Sequence, residues 1–263
     1  GQNGGDSMEA LILVVVFGLA WGSFLNVVIH RVPRRMSLLR PPSSCPSCGA
    51  RIKPHENIPV LSYLILRGKC RRCRAPISLR YPAVEALTPV LLAVLYVRAG
   101  GFTLSFFASA LFTSGLIALA FIDARHQILP DALTFPGIVL GFVYAFFRDD
   151  LTPGGALLGA AAGGGFLLLV YGFYRLIRKR EGLGFGDVTF MLMIGAFLGW
   201  EKTLLTLILA SFAGAVFGLL LMKLQGRDMK FALPFGSFLA PAAYVALVWG
   251  DRIIAAYLAR FPQ

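Results

Sequence analysis

The stretch "MEALILVVVFGLAWGSFLNVVI", residues 8–29, carries a single charged side chain, Glu9. A helix needs about 20 predominantly apolar residues to cross the hydrocarbon core of a bilayer. This stretch is therefore predicted to be a transmembrane helix. No basic segment precedes it and no small-residue cleavage site lies before its polar flank. We therefore interpret it as an anchor and not as a removed signal peptide.

The composition of the whole chain points the same way. Of its 263 residues, 57% are hydrophobic and 14% are charged, and the mean hydropathy is +0.73. Soluble domains are about 45–50% apolar and about 25% charged, so these values indicate a polytopic membrane protein. The formal net charge of +12 would favour nucleic acid as the partner of a soluble protein. Here the basic residues lie mostly between apolar segments, so we expect membrane lipid and no nucleic acid.

Eight apolar segments predict an all-α membrane protein with about eight transmembrane helices. They are roughly Met8–Ile29, Val84–Val97, Leu104–Ile122, Ala132–Phe147, Gly155–Ile177, Val188–Trp200, Leu204–Met222 and Leu233–Ile254. The second, fourth and sixth fall short of a full span unless they borrow flanking residues, so seven helices is the alternative. Residues 1–7, "GQNGGDS", have the look of an expression-tag remnant and are left out of this prediction.

Lysine and arginine predict the orientation of the chain. If the N-terminus lies outside, only five of the 25 basic residues fall on the outer side: Arg98, Arg148, Lys202, Arg252 and Arg260. The remainder lie in the inner segments, as the positive-inside rule requires. We therefore expect the polar segment 30–82 to face the cytoplasm, between the first helix (8–29) and a membrane core (83–263).

The segment 30–82 contains the four cysteines of the chain, Cys45, Cys48, Cys70 and Cys73, in two C-x2-C pairs separated by 21 residues. Four thiolates can form a closed tetrahedral site, so we predict a structural Zn²⁺ with no open position for catalysis. The alternatives are two disulfides or four free thiols. A reducing cytoplasm disfavours the disulfides. A loop this small has little core of its own, and the metal would supply much of its folding energy.

Two aspartates lie at the ends of apolar segments that run in opposite directions. Asp123 ends the third segment, and Asp187 opens the sixth within "GLGFGDVTF" (182–190). Both are predicted at the inner membrane face. Two carboxyl groups that meet there would share one proton, so that one activates water while the other protonates the substrate. The alternative is that the glycines break the helix and Asp187 merely caps the next one. Asp131 is interpreted as a helix cap, and His126 as a solvated loop residue.

Six stretches follow one another along most of the chain: "GSFLNVVIHRVP" (22–33), the pair "CPSC" and "CRRC", "NIPVLSYLILRGKC" (57–70), "RYPAVE" (80–85), "IDARHQILPD" (122–131) and "GFGD" (184–187). With these stretches the sequence resembles the type IV prepilin leader peptidases, bifunctional membrane enzymes of type IV pilus and type II secretion systems.

The resemblance implies an enzyme of the bacterial inner membrane whose active site faces the cytoplasm. It would cleave the basic leader of type IV prepilins or pseudopilins after a glycine. It would then methylate the new N-terminal residue with S-adenosylmethionine. The catalytic aspartates of the family correspond to Asp123 and Asp187, and the cysteine loop is linked to methylation. Many relatives have a lysine where this chain has Thr189, which leaves the proton affinity of the pair open.

Two other classes of protein share part of this pattern. A secondary transporter also uses membrane carboxylates, but it predicts polar residues deep in several helices and an inverted repeat. No convincing repeat is found, and a transporter gives the cysteine loop no role. A non-catalytic assembly factor that retains the fold is the third class, and the two retained aspartates argue against it.

Overall fold

Each apolar segment forms a helix in the computed structural model, which describes residues 2–53, 56–178, 184–225 and 233–260. Within these ranges the α-helices are α1 (Gln2–Arg31), α2 (Leu61–Ile65), α3 (Arg80–Ala99), α4 (Leu104–His126), α5 (Asp131–Tyr144), α6 (Pro153–Arg178), α7 (Phe185–Leu198), α8 (Trp200–Gln225) and α9 (Gly236–Leu258). The described residues form no strands, only two isolated β-bridges. The first helix begins at Gln2, so it extends beyond the apolar segment into residues 2–7.

Eight of these helices are the predicted apolar ones, and six are long and apolar enough to cross a membrane: α1, α3, α4, α6, α8 and α9. The second segment reaches 20 residues because its helix starts at Arg80 and ends at Ala99. The fourth and sixth segments remain short. α5 and α7 each have 14 residues, or about 21 Å, which is less than the roughly 30 Å of the hydrocarbon core.

The outer faces of the long helices are apolar. Large side chains such as Leu169 on α6 and Phe212 on α8 are 75% and 71% exposed. A soluble protein rarely exposes apolar surface on this scale, so these faces are suited to contact lipid. Together with the length of the helices, they identify a membrane protein.

The chain divides into two compact units, Gly1–Ala118 and Leu119–Gln263. In the first unit α1 packs closely on α3. A Cβ added at Gly18 would lie 2.6 Å from the Cα atom of Pro89, and one at Gly22 would lie 2.9 Å from the Cα atom of Glu85. Small residues permit such close approach between membrane helices. The Asn26 side chain donates to the Tyr81 carbonyl at 3.0 Å across the same seam.

The segment between α1 and α3 is held by two buried charged side chains, Arg31 on α1 and Glu85 on α3. Arg31 donates to the carbonyl groups of Ser37, Leu38 and Pro41. Glu85 accepts the backbone N–H of Val60 at 2.7 Å. Val60 has φ 61°, which is unfavourable for a β-branched residue. The hydrogen bond from its N–H to a buried carboxylate helps to hold this turn in place.

The second unit is built around α7, whose residues are almost all buried. It packs on α5, α6, α8 and α9, which explains why its sequence is apolar on every side. α6 and α7 are in backbone contact. A Cβ added at Gly159 would lie 2.3 Å from the Gly195 carbonyl oxygen, and one at Gly195 would lie 2.2 Å from the Gly159 carbonyl oxygen.

Gly159→Ala is therefore expected to destabilise the protein by about 2–3 kcal/mol, because the added methyl group forces two backbones apart. The matched control is Gly165→Ala on the same helix, where a Cβ meets nothing within 4 Å. There the higher helix propensity of alanine is expected to leave stability unchanged or raise it by up to about 1 kcal/mol. Thermal unfolding in detergent measures both. Equal stability of the two variants would contradict the close packing of α6 on α7.

Candidate active site and candidate metal site

Asp187 lies in the first turn of α7 and is 9% exposed. The helix begins at Phe185 with Gly184 as N-cap, three residues earlier than the predicted segment. The carboxylate reaches back and accepts the N–H of Gly184 at 3.2 Å through Oδ2. Such a contact fastens a helix start, as a glutamate does at the same position of a capping box. The N-cap is Gly184, so Asp187 is not the cap that the alternative interpretation proposed; it stabilises the helix start from the third position of α7.

Asp123 lies in the last turn of α4 and is 4% exposed. Its Oδ2 accepts two hydrogen bonds from Ser237, at 2.8 Å from the backbone N–H and at 3.2 Å from the hydroxyl group. Ser237 belongs to the first turn of α9. A buried carboxylate requires such donors, because its desolvation is otherwise very costly.

The structure brings the two aspartates into one neighbourhood of the second unit. Their carboxyl groups are close enough to interact electrostatically. Leu129 packs against the start of α7, which carries Asp187, and against the start of α9, which contacts Asp123. A Cβ at Gly186 would lie 2.9 Å from the Leu129 Cβ, and a Cβ at Gly236 would lie 3.0 Å from both Leu129 methyl groups and from Oδ2 of Asp123. The bare backbone at these two glycines allows this packing.

The four cysteines form one cluster in the first unit. All four sulfur atoms lie within 4.8 Å of one another, and those of Cys45 and Cys73 are 3.9 Å apart. No disulfide joins them, so that alternative is wrong. A tetrahedral Zn²⁺ with bonds of about 2.3 Å places its sulfur ligands about 3.8 Å apart. The cluster therefore has the size and the donor atoms of a closed zinc site and can hold a metal ion.

The two C-x2-C pairs sit on equivalent turns. The N–H of Cys45 bonds to the carbonyl of Ala50, and that of Cys70 bonds to the carbonyl of Ala75. Each turn closes with a left-handed residue four positions after its first cysteine, Gly49 at φ 67° and Arg74 at φ 58°. This repeat in the backbone directs both pairs of sulfur atoms to a common point.

The surroundings of the thiols shift the pKa values of Cys45 and Cys73 in opposite directions. The backbone N–H groups of Cys48 and Ser47 lower the pKa of Cys45 to about 6. The N–H of Ala75 favours the thiolate of Cys73, but desolvation and the neighbouring sulfur atoms together raise the pKa of Cys73 to about 11. Four thiolates therefore need a cation to coexist, and a divalent metal ion supplies that charge.

Comparison with known proteins identifies the family. Residues 16–99 match the model of the bacterial peptidase A24 N-terminal domain, and residues 110–219 match that of the type IV leader peptidase family. A protein of Pseudomonas aeruginosa named prepilin leader peptidase/N-methyltransferase is 39% identical over 94% of this chain and 93% of its own length. A protein of the same name from Aeromonas hydrophila is 40% identical over 95% of this chain and 94% of its own length. No solved structure shows a significant match.

The chain belongs to the type IV leader peptidase family.

In this member of the type IV leader peptidase family, the two matched regions divide the candidate sites between them. The N-terminal match contains the four cysteines, and the second match contains both aspartates. Ser237 lies beyond the second match.

Sequence reasoning missed two residues of this site, Leu129 and Ser237. Leu129 stands in an apolar context next to Pro130 and carries no chemical signal. Ser237 lies in "PFGSF" (234–238), where proline, glycine and serine before an apolar run are typical of a helix start. That signal predicts the start of α9 but gives no indication that the helix points at Asp123.

Three further residues singled out from the sequence are Asp131, His126 and Thr189. Asp131 is the first residue of α5, one position after its N-cap Pro130, so it acts in the first turn and not as the cap. His126 ends α4 and is half-buried, not a solvated loop residue. The buried Thr189 hydroxyl donates to the Gly186 carbonyl at 3.0 Å and accepts from Thr134 at 3.4 Å, which joins α7 to α5.

Proposed function

We propose that this protein is a prepilin leader peptidase and N-methyltransferase of the bacterial inner membrane. It removes the basic leader of type IV prepilins or pseudopilins after a glycine, at the cytoplasmic membrane face. It then methylates the new N-terminal residue with S-adenosylmethionine. One observation carries the proposal. Two buried carboxyl groups within electrostatic range, Asp123 and Asp187, occur in a chain about 40% identical to proteins of that name.

We assign the cleavage to Asp123 and Asp187 acting as a pair that shares one proton. In the first step the ionised carboxylate takes a proton from water as the water oxygen bonds to the scissile carbonyl carbon. The protonated partner gives its proton to the carbonyl oxygen. In the second step the C–N bond breaks. The carboxyl group that took the proton from water donates it to the leaving nitrogen. Its partner takes a proton from the tetrahedral intermediate, so the pair ends as it began.

This chemistry needs a site at the membrane boundary. A prepilin keeps its apolar helix in the bilayer and its basic leader in the cytoplasm, so its scissile bond lies between the two. Asp123 is in the last turn of a long apolar helix and Asp187 is in the first turn of a short one, which suits that position. A basic leader would be recognised by acidic groups, and Glu85, Glu181 and the aspartate pair are the candidates. Glu85 already accepts the N–H of Val60, and Glu181 lies outside the described residues.

We assign Cys45, Cys48, Cys70 and Cys73 to a structural Zn²⁺. Four sulfur ligands leave the metal no position for water or substrate, so it would stabilise the loop and take no part in bond cleavage. S-adenosylmethionine would be the methyl donor. The N-terminal unit, which contains this loop, is the part of the chain that the peptidase mechanism does not use.

The proposal is tested by incubating the full-length purified protein, in detergent or in proteoliposomes, with a prepilin. Mass spectrometry is expected to show the loss of the leader, with cleavage after glycine. With S-adenosylmethionine present, the mature product is expected to gain the mass of one methyl group. A folded protein that leaves the prepilin intact would contradict the proposal and favour a transporter or a non-catalytic assembly factor.

A further inference from the structure

We propose that Ser237 is a positioning residue for Asp123, and that its hydroxyl group serves Asp123 in both protonation states. The inference rests on the proposed function, since it concerns the same aspartate pair. It assigns a role in cleavage to the first turn of α9, a part of the chain outside both family matches.

The contact between Ser237 and Asp123 joins residues 114 positions apart. Ser237 gives two donors to one atom, Oδ2 of Asp123, at 2.8 Å and 3.2 Å. Two donors on a single oxygen fix the rotation of a carboxyl group far better than one. The direction of the other oxygen is thereby fixed as well. An acid–base group needs this kind of orientation, because proton transfer requires a well-placed partner.

The N-terminus of α9 adds to this effect. Its first turn directs N–H groups and the positive end of the helix dipole towards the carboxylate. Gly236, the first residue of α9, lets the carboxylate approach, since a Cβ there would lie 3.0 Å from Oδ2. Ser237 is therefore held where its hydroxyl and N–H reach the same oxygen.

The hydroxyl group lies between two acceptors. Its oxygen is 3.1 Å from the Ala120 carbonyl oxygen and 3.2 Å from Oδ2 of Asp123. A serine hydroxyl has one proton to donate and can also accept. When Asp123 is ionised, the hydroxyl donates to the carboxylate. When Asp123 carries the proton on Oδ2, it donates to the Ser237 oxygen, and the hydroxyl proton turns to Ala120. Neither state requires a heavy atom to move.

A purely structural role makes a different prediction. If the hydroxyl only fastens α9 to α4 through Ala120, its removal would lower stability and leave turnover unchanged. If it positions Asp123, its removal would lower turnover with little change in substrate binding, since the interaction serves the reaction and not the bound substrate alone.

The test compares Ser237→Ala, which loses the hydroxyl and keeps the N–H, with Ser237→Thr, which keeps both. We expect Ser237→Ala to lower kcat for prepilin cleavage about tenfold, as for the loss of one hydrogen bond to a charged group, with KM within about twofold. Ser237→Thr is expected to restore most of the turnover. The control is Ser211→Ala on an exposed face of α8, expected to match the wild type. Thermal unfolding in detergent is measured for every variant.

Two results would overturn the inference. One is an unchanged kcat in Ser237→Ala. The other is a fall in kcat that Ser237→Thr does not restore and that follows the loss of thermal stability. Failure of the proposed function looks different, because the wild type would then cleave nothing, or Asp123→Asn would cleave as fast as the wild type.

Discussion

Replacing Asp123 or Asp187 with asparagine is expected to lower prepilin cleavage by at least about a thousandfold, since each carboxyl group must both take and give a proton in one turnover. Asparagine has nearly the same shape but cannot perform either transfer. Either substitution alone breaks the pair, so the double variant is expected to be no slower than the single ones.

Both variants are expected to fold. The amide oxygen of asparagine can accept the hydrogen bonds that now reach the carboxylates, from Gly184 in one case and from Ser237 in the other. Loss of activity can therefore be separated from loss of structure by circular dichroism and by thermal unfolding in detergent.

The measurement is the rate of leader removal, followed by mass spectrometry. Asp131→Asn is the matched control: it removes the same charge from an exposed residue in the first turn of α5, and it is expected to cleave at the wild-type rate. Cleavage at more than about a tenth of the wild-type rate by Asp123→Asn or Asp187→Asn would refute the assignment.

Replacing any of the four cysteines with serine is expected to abolish methylation and to leave leader cleavage intact. A serine hydroxyl is a poor zinc ligand, so we expect metal affinity to fall by at least about a hundredfold. The loop would then lack the metal ion that we propose holds its two turns together. The aspartate pair belongs to the other compact unit, so its chemistry is expected to continue.

The predicted loss of metal is tested by measuring the zinc content of the purified protein with elemental mass spectrometry. The predicted loss of methylation is tested by following the transfer of a labelled methyl group from S-adenosylmethionine. Ser47→Ala, an exposed change between Cys45 and Cys48, keeps the backbone N–H that faces Cys45 and serves as the control. Full zinc content in Cys45→Ser and Cys70→Ser would argue against the four-sulfur site.

Much of this architecture follows from local patterns. The eight apolar helices were predicted from composition and length, because burial in lipid demands continuous apolar residues. The boundaries were less well predicted. α7 starts at Phe185 because Asp187 bonds back to Gly184, and α3 starts at Arg80, before its apolar run. The shortness of α5 and α7 was visible in the sequence, and α7 can be this short because other helices surround it.

The candidate sites were also predictable from the sequence only in part. Spacing alone paired the cysteines in two turns, and the structure confirmed that the four sulfur atoms meet. Topology placed Asp123 and Asp187 at the same expected depth. It gave no sign of Ser237 or Leu129, since neither residue type is unusual at a helix start or beside a proline.

The sequence by itself determined a membrane protein of apolar helices, the pairing of its cysteines and the two aspartates worth testing. These properties depend on residue type and spacing along the chain, which the sequence states directly. Only the tertiary structure decided which groups hold those aspartates. Hydrogen bonds such as that from Ser237 to Asp123 join residues far apart in sequence, and they exist only once α4 and α9 have packed.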